Sequence, residues 1–184
     1  MARIIDSIVG HQIQIKKLFH LKDSDRWPHA MIFVGPSGTG KKKMALGFAQ
    51  ALVCKIEDHA CGSCGACLRI EKMQSENLFI LEPDIELAKP LIKVEQIRDL
   101  LHSLSLASLG AARVVIIDEA QTLNPQASNA LLKTLEEPTE NIFFILIAND
   151  DKQLLSTIRS RSQVMRFSGL SYDEVKTVKP GLAD

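Results

Sequence analysis

A glycine-rich segment at residues 35–42 has the sequence Gly-Pro-Ser-Gly-Thr-Gly-Lys-Lys and lies between a short apolar run and a segment with helical spacing. Glycines in such a loop let consecutive backbone N–H groups surround a phosphate, and the positive end of the following helix faces the same point. The segment therefore predicts a nucleotide site in which Lys41 reaches the β- and γ-phosphates. The candidate nucleotide-binding residues of the loop are Gly35, Pro36, Ser37, Gly38, Thr39, Gly40, Lys41 and Lys42.

The last position of this loop departs from the pattern GxxxxGK[ST], because Lys42 stands where a serine or threonine hydroxyl holds Mg²⁺. An ammonium group has no acceptor for a cation and repels one nearby. We therefore expect ATP and Mg²⁺ to be bound weakly or without productive hydrolysis. The alternative is a glycine-rich turn that only caps a helix.

The almost fully apolar strand predicted at 113–118 ends in Asp118, and Glu119 follows it directly. Ligands of open α/β sheets bind at the carboxyl ends of the strands. An aspartate there can hold Mg²⁺, usually through water, and the following glutamate can orient or deprotonate an attacking water. The alternative is a strand that simply ends in solvated acids.

The four cysteines, Cys54, Cys61, Cys64 and Cys67, are confined to residues 54–67. Thiolates at this density, with glycines that allow tight turns between them, suit one tetrahedral Zn²⁺. Four protein ligands leave no open position, so we expect a structural ion. A redox CxxC pair is the rival interpretation. His59 could replace one cysteine as a ligand, but a lone histidine in a loop is more often simply exposed.

Apolar segments alternate with amphipathic ones along the whole chain. Near-continuous apolar runs predict strands buried on both faces of a parallel sheet, whereas apolar residues three and four apart predict helices. Strands are expected at 31–34, 77–81, 113–118, 142–148 and 163–167, and helices at 8–20, 41–53, 92–105, 125–136 and from Ser171 to a stop at Pro180-Gly181. The fold class is therefore α/β, a three-layer α/β/α sandwich with a five-stranded, mainly parallel sheet.

Composition narrows the function classes further. The 184 residues carry 22 basic and 22 acidic side chains, so no net charge draws the chain to nucleic acid or anionic lipid. The longest apolar run, 142–148, is too short to span a bilayer, and the N-terminus lacks the apolar core of a signal peptide. We expect a soluble, cytoplasmic protein.

Several motifs together resemble the AAA+ ATPases. The loop at 35–42 and the Asp118-Glu119 pair resemble Walker A and Walker B motifs, and residues 129–138 have the sequence NALLKTLEEP. That sequence, with Ser-Arg-Ser at 160–162, resembles clamp-loader subunits of bacterial DNA polymerase III. The delta-prime family is the best match, the gamma/tau family is the near relative, and the resemblance covers nearly the whole chain.

The resemblance implies roles for individual residues. Asn149 occupies the sensor-1 position and is expected to polarise the γ-phosphate or its attacking water. Arg161 is expected to enter a neighbouring subunit's site as an arginine finger in trans. Val9 lies in a segment that resembles the one beside the adenine base, and the family carries a zinc module at 54–67.

The resemblance also implies partners and an activity. The expected partners are the gamma/tau and delta subunits, the sliding clamp, and primed DNA through the complex, with no membrane contact. The expected function is that of a stator and arginine-finger donor in ATP-dependent clamp loading during DNA replication, within the polymerase holoenzyme but without polymerising activity of its own. An ATP-hydrolysing gamma/tau-type motor and a zinc-stabilised scaffold are the alternatives.

The same resemblance predicts a domain division. Residues 1–170 are expected to form the nucleotide-binding domain, with the zinc module as an insertion, and residues 171–184 are expected to start a truncated helical lid. Only about a dozen residues follow Ser171. We therefore expect modest nucleotide affinity and weak assembly with partner subunits.

Overall fold

The computed structural model describes residues 3–24, 26–57, 59–86, 89–106 and 112–178. The strands are β1 (Ala30–Val34), β2 (Leu78–Leu81), β3 (Arg113–Ile117), β4 (Ile142–Ala148) and β5 (Gln163–Arg166). They form one sheet in the order β2-β3-β4-β1-β5, and each neighbouring pair is parallel. The predicted five-stranded parallel sheet is confirmed.

Helices cover both faces of this sheet. They are α1 (Gln12–Asp23), α2 (Lys41–Val53), α3 (Gly65–Glu71), α4 (Val94–Leu106), α5 (Pro125–Glu136), α6 (Ser156–Ser160) and α7 (Tyr172–Val178), with short 3₁₀ turns at Ile4–Ser7, Ala120–Thr122 and Asp151–Gln153. The bounds predicted for α2 and α5 are those of the structure. The short helices α3 and α6 were not predicted, because each has too few residues to show a helical period.

Two apolar clusters, one on each face of the sheet, pack the helices against it and so produce three layers. On one face, side chains such as Ile32 and Ile117 pack with α4 and α5, and on the other, Phe33 and Ile116 pack with α1 and α2. Successive strand residues therefore point to opposite clusters, and both need apolar side chains. This is the physical reason for the near-continuous apolar runs in the sequence.

The helix predicted at 8–20 is wrong at its start. Gly10 and His11 have φ angles of 73° and 57°, in the left-handed region, so a right-handed helix cannot run through them. The helix α1 begins only after them, at Gln12. Its apolar spacing predicted the helix correctly, whereas Ile8 is buried in the core from a preceding extended segment.

The helix starts predicted from capping residues are confirmed. Asn124 accepts a hydrogen bond from the N–H of Ala127 at 2.6 Å, directly before Pro125 in the first turn of α5. Before α7, the N–H of Ser171 donates to the carboxylate of Glu174 at 2.7 Å, as in a capping box. The predicted stop of this helix at Pro180-Gly181 lies outside the described residues.

Among the residues that the structure describes, none of the helices is both long and apolar enough to cross a membrane.

Candidate nucleotide and metal sites

The glycine-rich loop connects β1 to α2, and two of its glycines are required by the backbone. A Cβ atom on Gly35 would lie 2.2 Å from the carbonyl oxygen of Phe167, because β5 leaves the sheet directly beside the loop. Gly40 precedes the first residue of α2 and has a φ of 88°, which strains any residue with a side chain. The chain therefore turns sharply from the strand into the helix at the predicted phosphate position.

Lys41 lies inside this loop. Its Nζ donates hydrogen bonds of 2.6 Å to the carbonyl oxygens of Gly35 and Pro36, and only 5% of the residue is exposed. Burial lowers the pKa of Lys41, while the charge of Asp118 acts in the opposite direction. The loop thus holds a partly desolvated cation in the position expected for the phosphate-binding lysine.

A cavity of about 590 Å³ opens between the loop and the carboxyl ends of β3 and β4. The predicted site residues that line it are Ser37, Gly38, Gly40, Lys41, Lys42, Asp118, Glu119 and Asn149. The Ser37 hydroxyl also donates to Oδ1 of Asn149 at 3.1 Å, although 112 residues separate them in the chain. The structure therefore brings the predicted Walker A, Walker B and sensor-1 residues together at one edge of the sheet.

Lys42 is bound by two carboxylates at this edge. Its Nζ donates to Oε1 of Glu82 and lies 3.3 Å from Oδ2 of Asp118. Burial lowers the pKa of Lys42, but the hydrogen bond with Glu82 and the charge of Asp118 outweigh it, so the pKa is raised overall. The ammonium is therefore held in its charged form against the predicted Walker B aspartate.

Sequence reasoning missed Glu82 as a site residue. It directly follows β2, which pairs with β3 so that Leu81 and Ile117 lie side by side. An acid after each of two neighbouring parallel strands was the signal, because both side chains then lie at the same sheet edge.

Glu119 lies just beyond β3 in a left-handed conformation, with a φ of 47°. Its N–H donates to Oδ1 of Asp118 at 3.0 Å, and the residue is exposed and lines the cavity. A non-glycine residue in this conformation carries strain, which is common at functional sites. Its predicted role in water activation remains a prediction.

Val9 is half-buried and does not occur among the described residues that line the cavity. Its neighbour His11 makes the contact with the loop, because Nε2 lies 2.9 Å from the carbonyl oxygen of Thr39. The His11 ring also packs edge-on against Phe167, with 5.0 Å between ring centroids. The predicted adenine-side segment therefore borders the loop through His11, and the role of Val9 stays a prediction.

Arg161 follows α6 on the surface and is absent from the described residues that line the cavity. Its guanidinium lies 2.6 Å from Oε1 of Glu136 and donates to the carbonyl oxygen of Thr157 at 3.0 Å. About a third of the side chain remains exposed. The residue is thus positioned by two helix ends and lies apart from the nucleotide cavity of its own chain.

The four cysteine sulfurs lie within 4.8 Å of one another, and those of Cys61 and Cys67 are 3.9 Å apart. Tetrahedral zinc with Zn–S bonds of about 2.3 Å requires a sulfur spacing of roughly 3.8 Å. The backbone N–H groups of Cys61 and Cys64 donate to the sulfurs of Cys54 and Cys61, respectively. The group thus has the spacing and the supporting hydrogen bonds of a metal centre.

The thiols of this group differ in acidity. Hydrogen bonds from the N–H groups of Ser63 and Cys64 lower the pKa of Cys61 to about 6, whereas burial raises the pKa of Cys67 to about 12. Each thiol must lose its proton to bind a metal. The four residues could hold one metal ion, and a zinc ion would stabilise the thiolate of Cys67 that the chain alone disfavours.

His59 does not join the cysteines. Its Nε2 lies 2.7 Å from Oδ1 of Asp23, and its ring stacks on Phe19 with 4.0 Å between centroids. The imidazole instead connects the cysteine segment to α1. The structure therefore gives no support to the alternative in which His59 replaces a cysteine ligand.

Gln50 was missed by sequence reasoning because a glutamine within an apolar helix carries no motif. It is fully buried on α2, where its Oε1 accepts from the N–H of Ile4 at 3.0 Å. Its Nε2 donates to the carbonyl oxygen of Cys67 at 3.1 Å. One side chain therefore ties the N-terminal segment to the cysteine group.

The parallel sheet order and the loop after β1 define a P-loop NTPase fold of the AAA+ type. The Thermotoga maritima RuvB Holliday junction branch migration motor superposes with a TM-score of 0.61 at 20% identity, over 96% of this chain and 51% of that one. The family model described as DNA polymerase III, delta subunit, matches residues 10–171. The chain belongs to this family.

Two curated relatives show how much of a whole protein is matched. The DNA polymerase III subunit delta' of Pseudomonas aeruginosa is 40% identical over 136 residues, covering 72% of this chain and 41% of the relative. The subunit tau of Escherichia coli K12 is 35% identical over 172 residues, covering 92% of this chain and 26% of the relative. The delta-prime family predicted from the motifs, with gamma/tau as near relative, is confirmed, and the chain spans less than half the length of these relatives.

Proposed function

We propose that this chain is the nucleotide-binding domain of a clamp-loader subunit of the replicative DNA polymerase III holoenzyme. Its role is that of a stator that donates Arg161 in trans to the ATP site of a neighbouring gamma/tau subunit. Together with the gamma/tau and delta subunits, it acts in the ATP-dependent loading of the sliding clamp onto primed DNA. Family membership supports the complex, and the position of Arg161 supports the role within it.

The placement of Arg161 carries this proposal. A guanidinium that served the nucleotide of its own chain would face the cavity formed by the P-loop, but Arg161 lies outside that cavity on an exposed helix end. The carboxylate of Glu136 holds it in place without burying it. Phosphate oxygens can replace that carboxylate, because both groups accept paired hydrogen bonds from an arginine.

The domain division completes the proposal. Residues 1–170 form the nucleotide-binding domain, the segment 54–67 is a zinc module with one structural Zn²⁺, and residues 171–184, which include α7, are the start of a truncated helical lid. In the cavity, Lys42 makes the binding of ATP weak or non-productive.

The test is steady-state ATP turnover of a complex reconstituted from this chain with gamma/tau and delta subunits. An arginine finger contributes roughly 10³- to 10⁵-fold to turnover. Arg161→Ala should therefore abolish the turnover of the one site that it faces and lower the total by that site's share. Arg26→Ala is the matched control, because Arg26 is exposed and precedes the amino end of β1, at the opposite edge of the sheet.

Both variants must first be shown to enter the complex as well as the unmodified chain. Unchanged turnover of an intact Arg161→Ala complex would remove the trans role. A loss of the same size for Arg26→Ala would mean that the effect is not specific to the finger.

An ATP-hydrolysing motor of the gamma/tau type is the second candidate, because Asp118, Glu119 and Asn149 all line the cavity. This function requires Mg²⁺-dependent turnover by the chain that Glu119→Gln abolishes. Turnover that persists in Glu119→Gln would exclude it.

A further inference from the structure

The nucleotide cavity lacks a place for the divalent cation that a P-loop site uses. In such sites a hydroxyl after the conserved lysine and a Walker B aspartate together position Mg²⁺. Here Lys42 replaces the hydroxyl, and its Nζ lies 3.3 Å from the aspartate candidate, Asp118. The residues present therefore do not fit a magnesium ion, because one ligand is missing and the other is already paired with a cation.

A second carboxylate, that of Glu82, also holds the Lys42 ammonium in this position. Glu82 reaches the same ammonium from the end of β2, while Asp118 reaches it from the end of β3. Glu119 is also exposed at this edge, but Glu82 and Asp118 are both turned toward Lys42. A metal ion entering between them would have to displace the ammonium or lie directly against it.

An ammonium in this position retains a free donor. A lysine ammonium carries three N–H donors, and the two carboxylates engage at most two of them. Lys42 also lines the cavity, beside Lys41 and the open backbone of Gly38 and Gly40, where an added Cβ would meet nothing. A phosphate oxygen in the cavity can therefore accept the third hydrogen bond from Lys42.

From this geometry we infer that the cavity binds nucleoside di- and triphosphates without a divalent cation, with the ammonium of Lys42 in the charge-balancing place of Mg²⁺. The inference rests on the proposed nucleotide site and specifies the form of its ligand. Free nucleotide is then the species bound. Because Mg²⁺ forms a complex with ATP in solution, added Mg²⁺ competes with the protein for its ligand.

The experiment is isothermal titration calorimetry of the full chain with ATP and with ADP, once in excess EDTA and once in millimolar Mg²⁺. The unmodified chain should bind in EDTA at least as tightly as in Mg²⁺. Lys42→Thr restores the hydroxyl and frees both carboxylates, so its affinity for ATP should become at least tenfold tighter in Mg²⁺ than in EDTA. Lys16→Met, which removes an exposed lysine of α1, should behave like the unmodified chain within about twofold.

The EDTA and Mg²⁺ titrations of the unmodified chain decide the question even if Lys42→Thr does not fold. Binding that weakens tenfold or more in EDTA overturns the inference and leaves the trans role of Arg161 untouched. No binding under either condition overturns the inference together with the nucleotide site, again without bearing on Arg161. Mg²⁺-independent binding that Lys42→Thr converts to Mg²⁺-dependent binding supports it.

Discussion

Two sites lie at the two ends of α2, and they differ in the source of their cation. At its first turn, Lys42 is held by Glu82 and Asp118, so that a side-chain ammonium already neutralises the acids there. Just beyond its last turn, Cys54 begins a group of four thiols whose spacing matches a tetrahedral metal. One helix thus joins a site that has its cation within the chain to a site that could bind one from solution.

The difference shows what each cation does for the fold. An ammonium on a partly exposed ion pair contributes little to stability, because solvent screens it and it is present whether or not a ligand binds. A metal bound by four thiolates adds its binding free energy to folding, because the unfolded chain has no such site. Stability should therefore depend on the cysteine end of α2, and ligand preference on the other end.

The largest expected effect is the loss of the metal. Cys64→Ser should lower the zinc content from about one ion per chain and the free energy of unfolding by about 4 kcal/mol, the value for a ligand 1,000-fold above its Kd. Plasma emission spectrometry and urea denaturation measure the two quantities. The control is Ser63→Ala, which removes an exposed hydroxyl that donates to the Cys61 sulfur at 3.7 Å but leaves all four thiols in place. Substantially less than one zinc in unmodified chain purified without chelator would contradict the metal site.

A smaller effect is expected from Gln50, the side chain on α2 that ties the N-terminal segment to the cysteine group. Gln50→Leu leaves the N–H of Ile4 and the carbonyl of Cys67 without their partner, and a buried unsatisfied group costs about 1–3 kcal/mol. Urea denaturation should therefore show a loss of about 2–4 kcal/mol. Gln14→Leu breaks one hydrogen bond, to the carbonyl oxygen of Arg166 at the surface, and should cost less than about 1 kcal/mol. If the two variants lose equal free energy of unfolding, Gln50 does not stabilise the fold by connecting the two segments.

The sequence was most informative where one physical requirement acts on many neighbouring residues. Strands buried on both faces, such as β3 and β4, need apolar side chains at nearly every position, and this pattern predicted the sheet. The phosphate-binding loop and the cysteine site could be predicted for the same reason, because a close backbone approach or a bound metal restricts the residue types at several neighbouring positions.

Features that depend on contacts between distant chain segments could not be predicted from the sequence. Lys42 was recognised as a departure from the loop pattern, but only the pairing of β2 with β3 shows that Glu82 also binds it. The left-handed conformation of His11 delays α1 although the apolar spacing before it is helical. Gln50 has partners 46 positions before it and 17 positions after it, and such pairs leave no local pattern.

The smallest expected effect concerns protons at the nucleotide end of α2. Burial holds the pKa of Lys41 below its ordinary value of 10.5, and a bound phosphate should raise it, because a nearby negative charge favours the ammonium. Binding should then take up a fraction of a proton as the pH rises above the lowered pKa, and affinity should fall through that window. At neutral pH, where Lys41 is charged in both states, no uptake from this group is expected.

Calorimetric titration with ATP in two buffers of different ionisation enthalpy, at neutral and alkaline pH in EDTA, measures this uptake. Lys41→Arg serves as the comparison, because a guanidinium stays charged throughout and should remove the alkaline uptake wherever binding persists. Proton release by the unmodified chain at alkaline pH would have the wrong sign. It would mean that phosphate binding does not strengthen the charged form of Lys41, so that the buried lysine and the ion-paired Lys42 do not share one anion.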